Sequence, residues 1–240
     1  MTKKTDSIFE SKRYVEYTYD TGVRPYGKYP GLLASWLLDN VYKKPGKIAD
    51  FGCGRGDYLE VFQDLGFTPT GFDISPSINN IEGYNVKQVD FVNDTPPYTD
   101  ENFDYVFSKS VVEHLHNPTS YMTGIYESLS AGGVAVIMTP SWEHSYWGPF
   151  YIDHTHVTPF TARSLRSALE MIGFKRVTVK YFYQLPFLWK YPLLIPIIKL
   201  LSKLPVPYGP FYDVPWSDNN KINKLIRFSK EPMLLAIASR

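Results

Sequence analysis

From Lys47 onward, short apolar runs of β type alternate with stretches of helical period. This alternation predicts βαβ units and a parallel sheet with helices on both faces. Lys47–Phe51 (KIADF) reads as a first strand, Tyr58 to Leu65 as a helix stopped by Gly66, and Thr68–Asp73 (TPTGFD) as a second strand. Val86 to Phe91 and Phe103 to Ser108 give the third and fourth strands. Asn117-Pro118 then opens a helix whose Tyr121, Ile125 and Leu129 share one face, with Ala131-Gly132-Gly133 as its stop. Val134 to Met138 is a fifth strand. Thr161 caps a helix that runs to Ile172 and closes at Gly173; Arg176 to Phe182 and Met233 to Ala238 complete seven strands.

Two segments break the alternation. Residues 1–46 form an N-terminal cap, Tyr-rich and then helical around Leu32 to Val41, and residues 185–230 form an insertion with seven prolines between Pro186 and Pro215. The chain therefore divides into this cap, a ligand-binding core over 47–184, a Pro-rich insertion acting as a lid over 185–230, and the core's last strand over 231–240.

Composition narrows the function. A net charge of +1 gives no electrostatic footprint for a nucleic-acid backbone, so no nucleic-acid partner is expected. One cysteine in 240 residues makes no internal disulfide, and the first twenty residues hold no apolar run suited to a signal peptide, which points to the cytoplasm. The most apolar stretch, Leu185 to Leu204, is interrupted by Lys190, Pro192, Pro196 and Lys199 and does not read as a membrane span.

The chemistry starts at Asp50-Phe51-Gly52-Cys53-Gly54-Arg55-Gly56, between the first strand and its helix. Small residues there let a ligand approach the backbone and the helix N-terminus. The spacing is not that of a dinucleotide fingerprint, because Asp57 stands where the last glycine belongs, and no Gly-Lys-Ser/Thr follows to make a P-loop. Asp50 repels a pyrophosphate and suits a ligand with an ammonium or sulfonium charge. Asp73, at the end of the second strand, is placed to accept hydrogen bonds from both hydroxyls of a ribose, and Asp90, after the third, from an adenine amine.

Three glycines and three carboxylates so placed resemble the class I S-adenosylmethionine-dependent methyltransferases. The similarity spans Ile48 to Phe182 through ADFGCGRG, TGFDIS, VEHLHNP, AGGVAVIMTP and DHTHVTPFTARSLRSALEMIGF. It is nearest to the branch of ubiquinone-type and surface-glycan methyltransferases. The resemblance implies a doubly wound, Rossmann-like seven-stranded α/β sheet with an antiparallel last strand, and S-adenosyl-L-methionine as cofactor, leaving as S-adenosyl-L-homocysteine. It places Gly52, Gly54 and Gly56 at the methionine part, Asp73 at the ribose, Asp90 and Phe91 at the adenine, and Ser108 under the sulfonium; Asp50 and Ile74 join them as cofactor-binding candidates.

Loops after the fourth, fifth and sixth elements face the methyl group in such a sheet. They carry His114, His144, His154 and His156, and His116 shares the loop of His114. A hydroxyl must lose its proton as it attacks, so a histidine near its ordinary pKa suits the role of base. His154 is placed slightly ahead of His156, whose alternative role is to order the following loop by bonding its backbone, and Glu113 and His114, also catalytic candidates, shape the acceptor pocket or cap the next helix. In the ubiquinone branch an E-x-x-E-H pattern resembles a divalent-cation site. Ser110 stands at its first acidic position here, leaving Glu113 and His114 as metal candidates unless the fold adds Asp153, His154 or His156.

The expected function is methyl transfer to an oxygen of a small polar acceptor, a sugar or other surface-polysaccharide precursor. The alternatives are a quinone or lipid precursor at the membrane, transfer to nitrogen, and a non-catalytic cofactor-binding protein. Residues 141 to 216 hold 17 aromatic rings, against 13 over 47 to 140, so the ring excess falls on the acceptor side. Seven Lys and Arg against two Asp between Leu185 and Lys230, around PLLIPIIKLLSKLPVP, also give that insertion the composition of a peripheral membrane contact.

Overall fold

The computed structural model describes residues 27–209 and 220–240. The Tyr-rich run before Gly27 and the part of the insertion from 210 to 219 lie outside the described residues. The elements in chain order are α1 (Tyr29–Leu37), β1 (Lys47–Phe51), α2 (Asp57–Asp64), β2 (Thr68–Asp73), β3 (Asn85–Gln88), β4 (Phe103–Lys109), α3 (Pro118–Ser128), β5 (Leu129–Pro140), α4 (Ala162–Ile172), β6 (Lys175–Phe182), α5 (Ile195–Ser202), α6 (Lys221–Lys230) and β7 (Met233–Ser239). They build one seven-stranded sheet in the order β3-β2-β1-β4-β5-β7-β6. The first five strands run parallel, and β7 runs antiparallel between β5 and β6.

Successive strand residues face opposite sides, and both sides are apolar, so two cores form. Ala49, Val106, Ala135, Ile137, Leu234 and Ala236 point into one, beneath α3 and α4. Ile48, Phe107, Val136, Met138, Met233 and Leu235 point into the other, beneath α1 and α2. Such continuous apolar strands are what a sheet covered on both faces requires.

Three boundaries differ from the sequence reading. β3 ends at Gln88, so Asp90 lies in the turn beyond the strand, where its carboxylate caps the backbone N–H groups of Val92 and Asn93. α3 stops at Ser128 and β5 starts at once, so Ala131-Gly132-Gly133 lies inside the strand and does not terminate the helix. The N-terminal helix begins at Tyr29 and continues beyond Leu37 as a π-helical turn, Leu38–Tyr42, which closes on left-handed Lys43.

The insertion folds into short helices, Pro186–Lys190, a turn over Pro192–Leu194, then α5 and α6. Tyr183, Leu185, Leu188 and Ile198 give it a small core of its own. Trp189 ties it to the N-terminal helix, with ring centres 5.8 Å from Tyr29 and 6.1 Å from Trp36. Among the described residues no helix is long and apolar enough to cross a membrane.

Candidate functional site

The turn after β1 is built for close approach. The Gly52 and Cys53 N–H groups both reach the Phe72 carbonyl, at 2.7 and 3.1 Å, which folds the loop back over β2. Asp73 completes the fold: its carboxylate accepts from the Gly54 N–H at 2.8 Å and from the Ser75 N–H at 2.9 Å. Burial raises its pKa, and the backbone donors pull the other way. The loop encloses a cavity of about 180 Å³ lined by Asp50, Gly52, Gly54, Tyr58, Lys109 and Ser110 among others. Tyr29 and Pro30 of the N-terminal helix close its outer side, and a second cavity of about 340 Å³ adjoins at Pro30 and Asp57.

Asp50 is the unusual member. It is buried at the carboxyl end of β1, and its Oδ2 has no hydrogen-bond partner. Burial lifts its carboxyl well above the usual carboxylate range, Asp73 and Asp57 add to the shift, and Lys109 opposes it. A buried acceptor without a donor is costly unless a ligand supplies one. Asp50 therefore marks where a cationic or donor-bearing group belongs.

The remaining cofactor candidates are placed differently. Ile74 is half-buried, and its carbonyl accepts from the Gln88 side chain. Asp90 uses both carboxylate oxygens within its own turn, on Val92, Asn93 and the Asn93 side chain. Phe91 packs in the core, stacked 5.4 Å from Phe51. Ser108 is turned inward: it donates to the Tyr121 hydroxyl at 2.7 Å, which in turn donates to the Phe51 carbonyl at 3.1 Å. Lys109 and Ser110 stand at the cavity in its place. Sequence reasoning missed Lys109, although a lysine closing a mostly buried strand at its carboxyl end was a readable signal.

A second constellation lies just beyond β4. The Glu113 carbonyl accepts from the N–H groups of both Val157 and Thr158, at 2.9 Å each, and so pins the distant 153–158 loop against the turn after β4. That link brings His156 to Glu113 and His114, and one donor atom from each of the three lies within 4.8 Å of the others. His154 stays exposed, His116 is exposed on the turn, and His144 bonds Ser141 at 2.9 Å near β6.

The hydrogen bonds fix which nitrogens carry lone pairs. The Phe150 carbonyl can only accept, so His156 donates through Nδ1 at 2.6 Å and keeps its lone pair on Nε2. Thr155 gives its proton to Asp153, so it accepts from His114 Nδ1 at 3.0 Å and leaves His114 Nε2 free of hydrogen. Burial lowers the pKa of both imidazoles, that of His114 to about 4, helped by the neighbouring His156. Glu113 is fully buried: Oε2 accepts from Thr139 at 2.9 Å, Oε1 has no partner, and desolvation pushes its pKa up to about 7. Each of the three side chains is thus oriented by an outer partner, and a donor atom of each lies within 4.8 Å of the others.

Beside this cluster the loop after β5 presents rings to solvent. Tyr146, Trp147 and Tyr151 are exposed, with Trp142 6.0 Å from Tyr151.

A methyltransferase-domain family profile matches residues 27–179. A curated relative, the ubiquinone biosynthesis O-methyltransferase of Ruegeria sp. strain TM1040, is 27% identical over 166 residues, covering 61% of this chain and 67% of that protein. Its counterpart from Cereibacter sphaeroides strain ATCC 17025 is 32% identical over 100 residues, 39% of this chain and 40% of that protein. The chain thus spans between two fifths and two thirds of these relatives' lengths. Among solved structures, an S-adenosylmethionine-dependent methyltransferase from Archaeoglobus fulgidus superposes with a TM-score of 0.59 at 21% identity, covering 93% of this chain and 99% of that one. Phosphoethanolamine N-methyltransferase 2 of Haemonchus contortus, in complex with S-adenosyl-L-methionine, gives 0.58 at 16% identity over 99% of this chain and 58% of that one. At these identities the structures speak for the fold alone.

Proposed function

Because the chain belongs to the methyltransferase-domain family and is a class I S-adenosylmethionine-dependent methyltransferase, we propose that it methylates a hydroxyl oxygen of a small polar acceptor. We take that acceptor to be a sugar or other precursor of a surface polysaccharide. When bound, S-adenosylmethionine supplies a methyl group on a positively charged sulfur and leaves as neutral S-adenosylhomocysteine.

The cavity suits that cofactor. Asp50 offers its unpartnered Oδ2 to the cationic methionine end, and the Gly52–Gly56 turn lets it approach the backbone. Asp73 holds the loop through backbone donors and keeps acceptor capacity for ribose hydroxyls. Lys109 balances the negative charge around Asp50.

The observation that carries transfer to oxygen is the neutral His156. Its Nδ1–H is spent on the Phe150 carbonyl, so Nε2 accepts the acceptor's proton as the new carbon–oxygen bond forms. Buried Glu113 stabilises the imidazolium that results. The exposed Tyr146, Trp147 and Tyr151 supply flat apolar faces suited to stacking on a sugar ring.

Two specific observations favour further readings. The relatives' names, with an apolar insertion, favour a quinone or lipid precursor as acceptor. Glu113, His114 and His156 would together hold a divalent metal, which would supply Lewis-acid assistance to the acceptor hydroxyl.

Calorimetry and turnover test the proposal. The wild type binds S-adenosylmethionine, Asp73→Ala loses at least about tenfold in affinity as a hydrogen-bonded charge disappears, and labelled methyl appears on oxygen of a hydroxylated acceptor. Methyl found on nitrogen overturns the acceptor assignment; undiminished binding by Asp73→Ala overturns the site.

Asp50 gives a second measurable outcome. Its folded pKa is raised, so its burial subtracts stability as pH climbs from its ordinary range through the folded value. Asp50→Asn should therefore raise the Tm of the unliganded protein at pH 7 to 8. The same change should weaken cofactor binding on the order of 10- to 100-fold. In the wild type, affinity should rise with pH as Asp50 ionises and then level off; in Asp50→Asn that slope should vanish.

A further inference from the structure

The segment from Leu193 to Leu204 buries one side and leaves another bare. Ile198 packs into the insertion's small core, with Leu201 beside it. Leu193, Ile197, Leu200 and Leu204 remain 91%, 61%, 66% and 45% exposed. Their spacing of four, three and four residues puts them on a single side of α5 and its flanking turns. Aliphatic side chains at that exposure gain nothing from the fold, and no described segment covers them.

Charge says what meets this stripe. Between 185 and 209 and between 220 and 230 the described residues carry Lys190, Lys199, Lys203, Lys221, Lys224, Arg227 and Lys230, and no Asp or Glu. Lys199 and Lys203 sit next to the stripe on α5 and at its end, both exposed. Exposed Tyr146 and Trp147 adjoin through the Trp147 ring, 6.3 Å from Tyr208 of the insertion. Aliphatic residues at the tip, lysines beside them and amphipathic rings at the margin form the order in which a bilayer presents acyl chains, anionic headgroups and interface. A second copy of the chain would bring the exposed Lys199 and Lys203 beside the stripe against their own counterparts, which disfavours self-association through this face.

We propose that the stripe Leu193-Ile197-Leu200-Leu204 docks the protein on an anionic membrane surface, lying in the headgroup layer without spanning it. The proposal rests on the insertion and holds whatever the methyl acceptor is. Docking would place the acceptor side of the sheet, through Trp147, close to the lipid.

The test uses the full chain with vesicles of phosphatidylcholine alone and of phosphatidylcholine with phosphatidylglycerol. The protein should cosediment with the anionic vesicles, lose that association as salt rises, and show a blue shift of tryptophan emission. Ile197→Asp and Leu200→Asp should each weaken association by more than about tenfold, and Lys199→Gln and Lys203→Gln about fivefold each. Calorimetry with S-adenosylmethionine should match wild type in every variant, confirming that each is folded. Absence of association, equal binding to neutral vesicles, or variants that bind like wild type would overturn the proposal. So would a dimer in sedimentation velocity that Ile197→Asp converts to monomer, since the stripe would then belong to a second copy.

Discussion

Replacing His156 by alanine should lower kcat by about 10²- to 10⁴-fold, the usual contribution of a positioned base, with cofactor affinity unchanged. The expectation follows from position: the ring's proton is committed to the Phe150 carbonyl, and His156 is not among the residues that line the cavity at the glycine turn. The pH profile gives a second readout. Burial lowers the His156 pKa, so the imidazole is deprotonated through the neutral range, and desolvation raises Glu113 to about 7. Wild-type kcat should climb as pH rises through the histidine's ionisation and again as Glu113 becomes charged near 7, then level off. His156→Ala should lose the lower limb. Dialysis against a chelator separates the base from the metal reading. Unchanged kcat leaves His156 as the base, and a loss restored by added divalent ion assigns the trio to metal.

Gly52→Ala should be the most disruptive single methyl group in the cofactor turn. Gly52 has φ +87°, a conformation that costs an alanine about 1–2 kcal/mol. Its new Cβ would lie 2.2 Å from Val111 Cγ2, which adds roughly 1–3 kcal/mol of overpacking. Val111 cannot swing away cheaply, because its side chain is branched at Cβ and its carbonyl is held by the His114 N–H at 2.9 Å. Each kcal/mol should lower Tm by roughly 2–4 °C for a chain of this size. The double variant Gly52→Ala/Val111→Ala should recover the packing share and retain the backbone share. Gly54→Ala is the contrast: φ is +55°, with no heavy atom within 4 Å of the added Cβ. It should carry only the backbone cost of about 1–2 kcal/mol in the unliganded fold while obstructing the cofactor, a difference that thermal melts and calorimetry report together.

The core was legible because its determinants are local. β2 occupies the residues read from TPTGFD, and α4 starts after Thr161 and stops at Gly173 because the capping box and a left-handed glycine fix both ends. β3 was read too long, since Val89 is buried like a strand residue and its N–H still bonds the Asp73 carbonyl, although the chain turns away at Asp90. What stayed hidden depends on distant partners. His114 and His156 meet through the grip of the Glu113 carbonyl on Val157 and Thr158, and no periodicity encodes that contact. His154 and His156 share their chemistry, and only packing decides that His156 reaches the cluster while His154 faces water. Asp90 carries a strand-end signature that its own turn consumes.

The place of β7 has a consequence for the order in which the chain can be completed on the ribosome. β6 pairs with β7 alone, and β7 separates it from β5. Until β7 emerges, well after β6 and the whole insertion, β6 with its helix α4 has an open hydrogen-bonding edge and no route into the sheet. The first five strands can assemble the glycine turn and present the Glu113 carbonyl beforehand, yet the His156 loop leads into α4, whose strand β6 is anchored in the sheet only through β7. Cofactor binding can thus precede the joining of the sheet's halves during synthesis, whereas the acceptor side is finished last. The waiting β6 edge is the part of the nascent protein most exposed to wrong pairing.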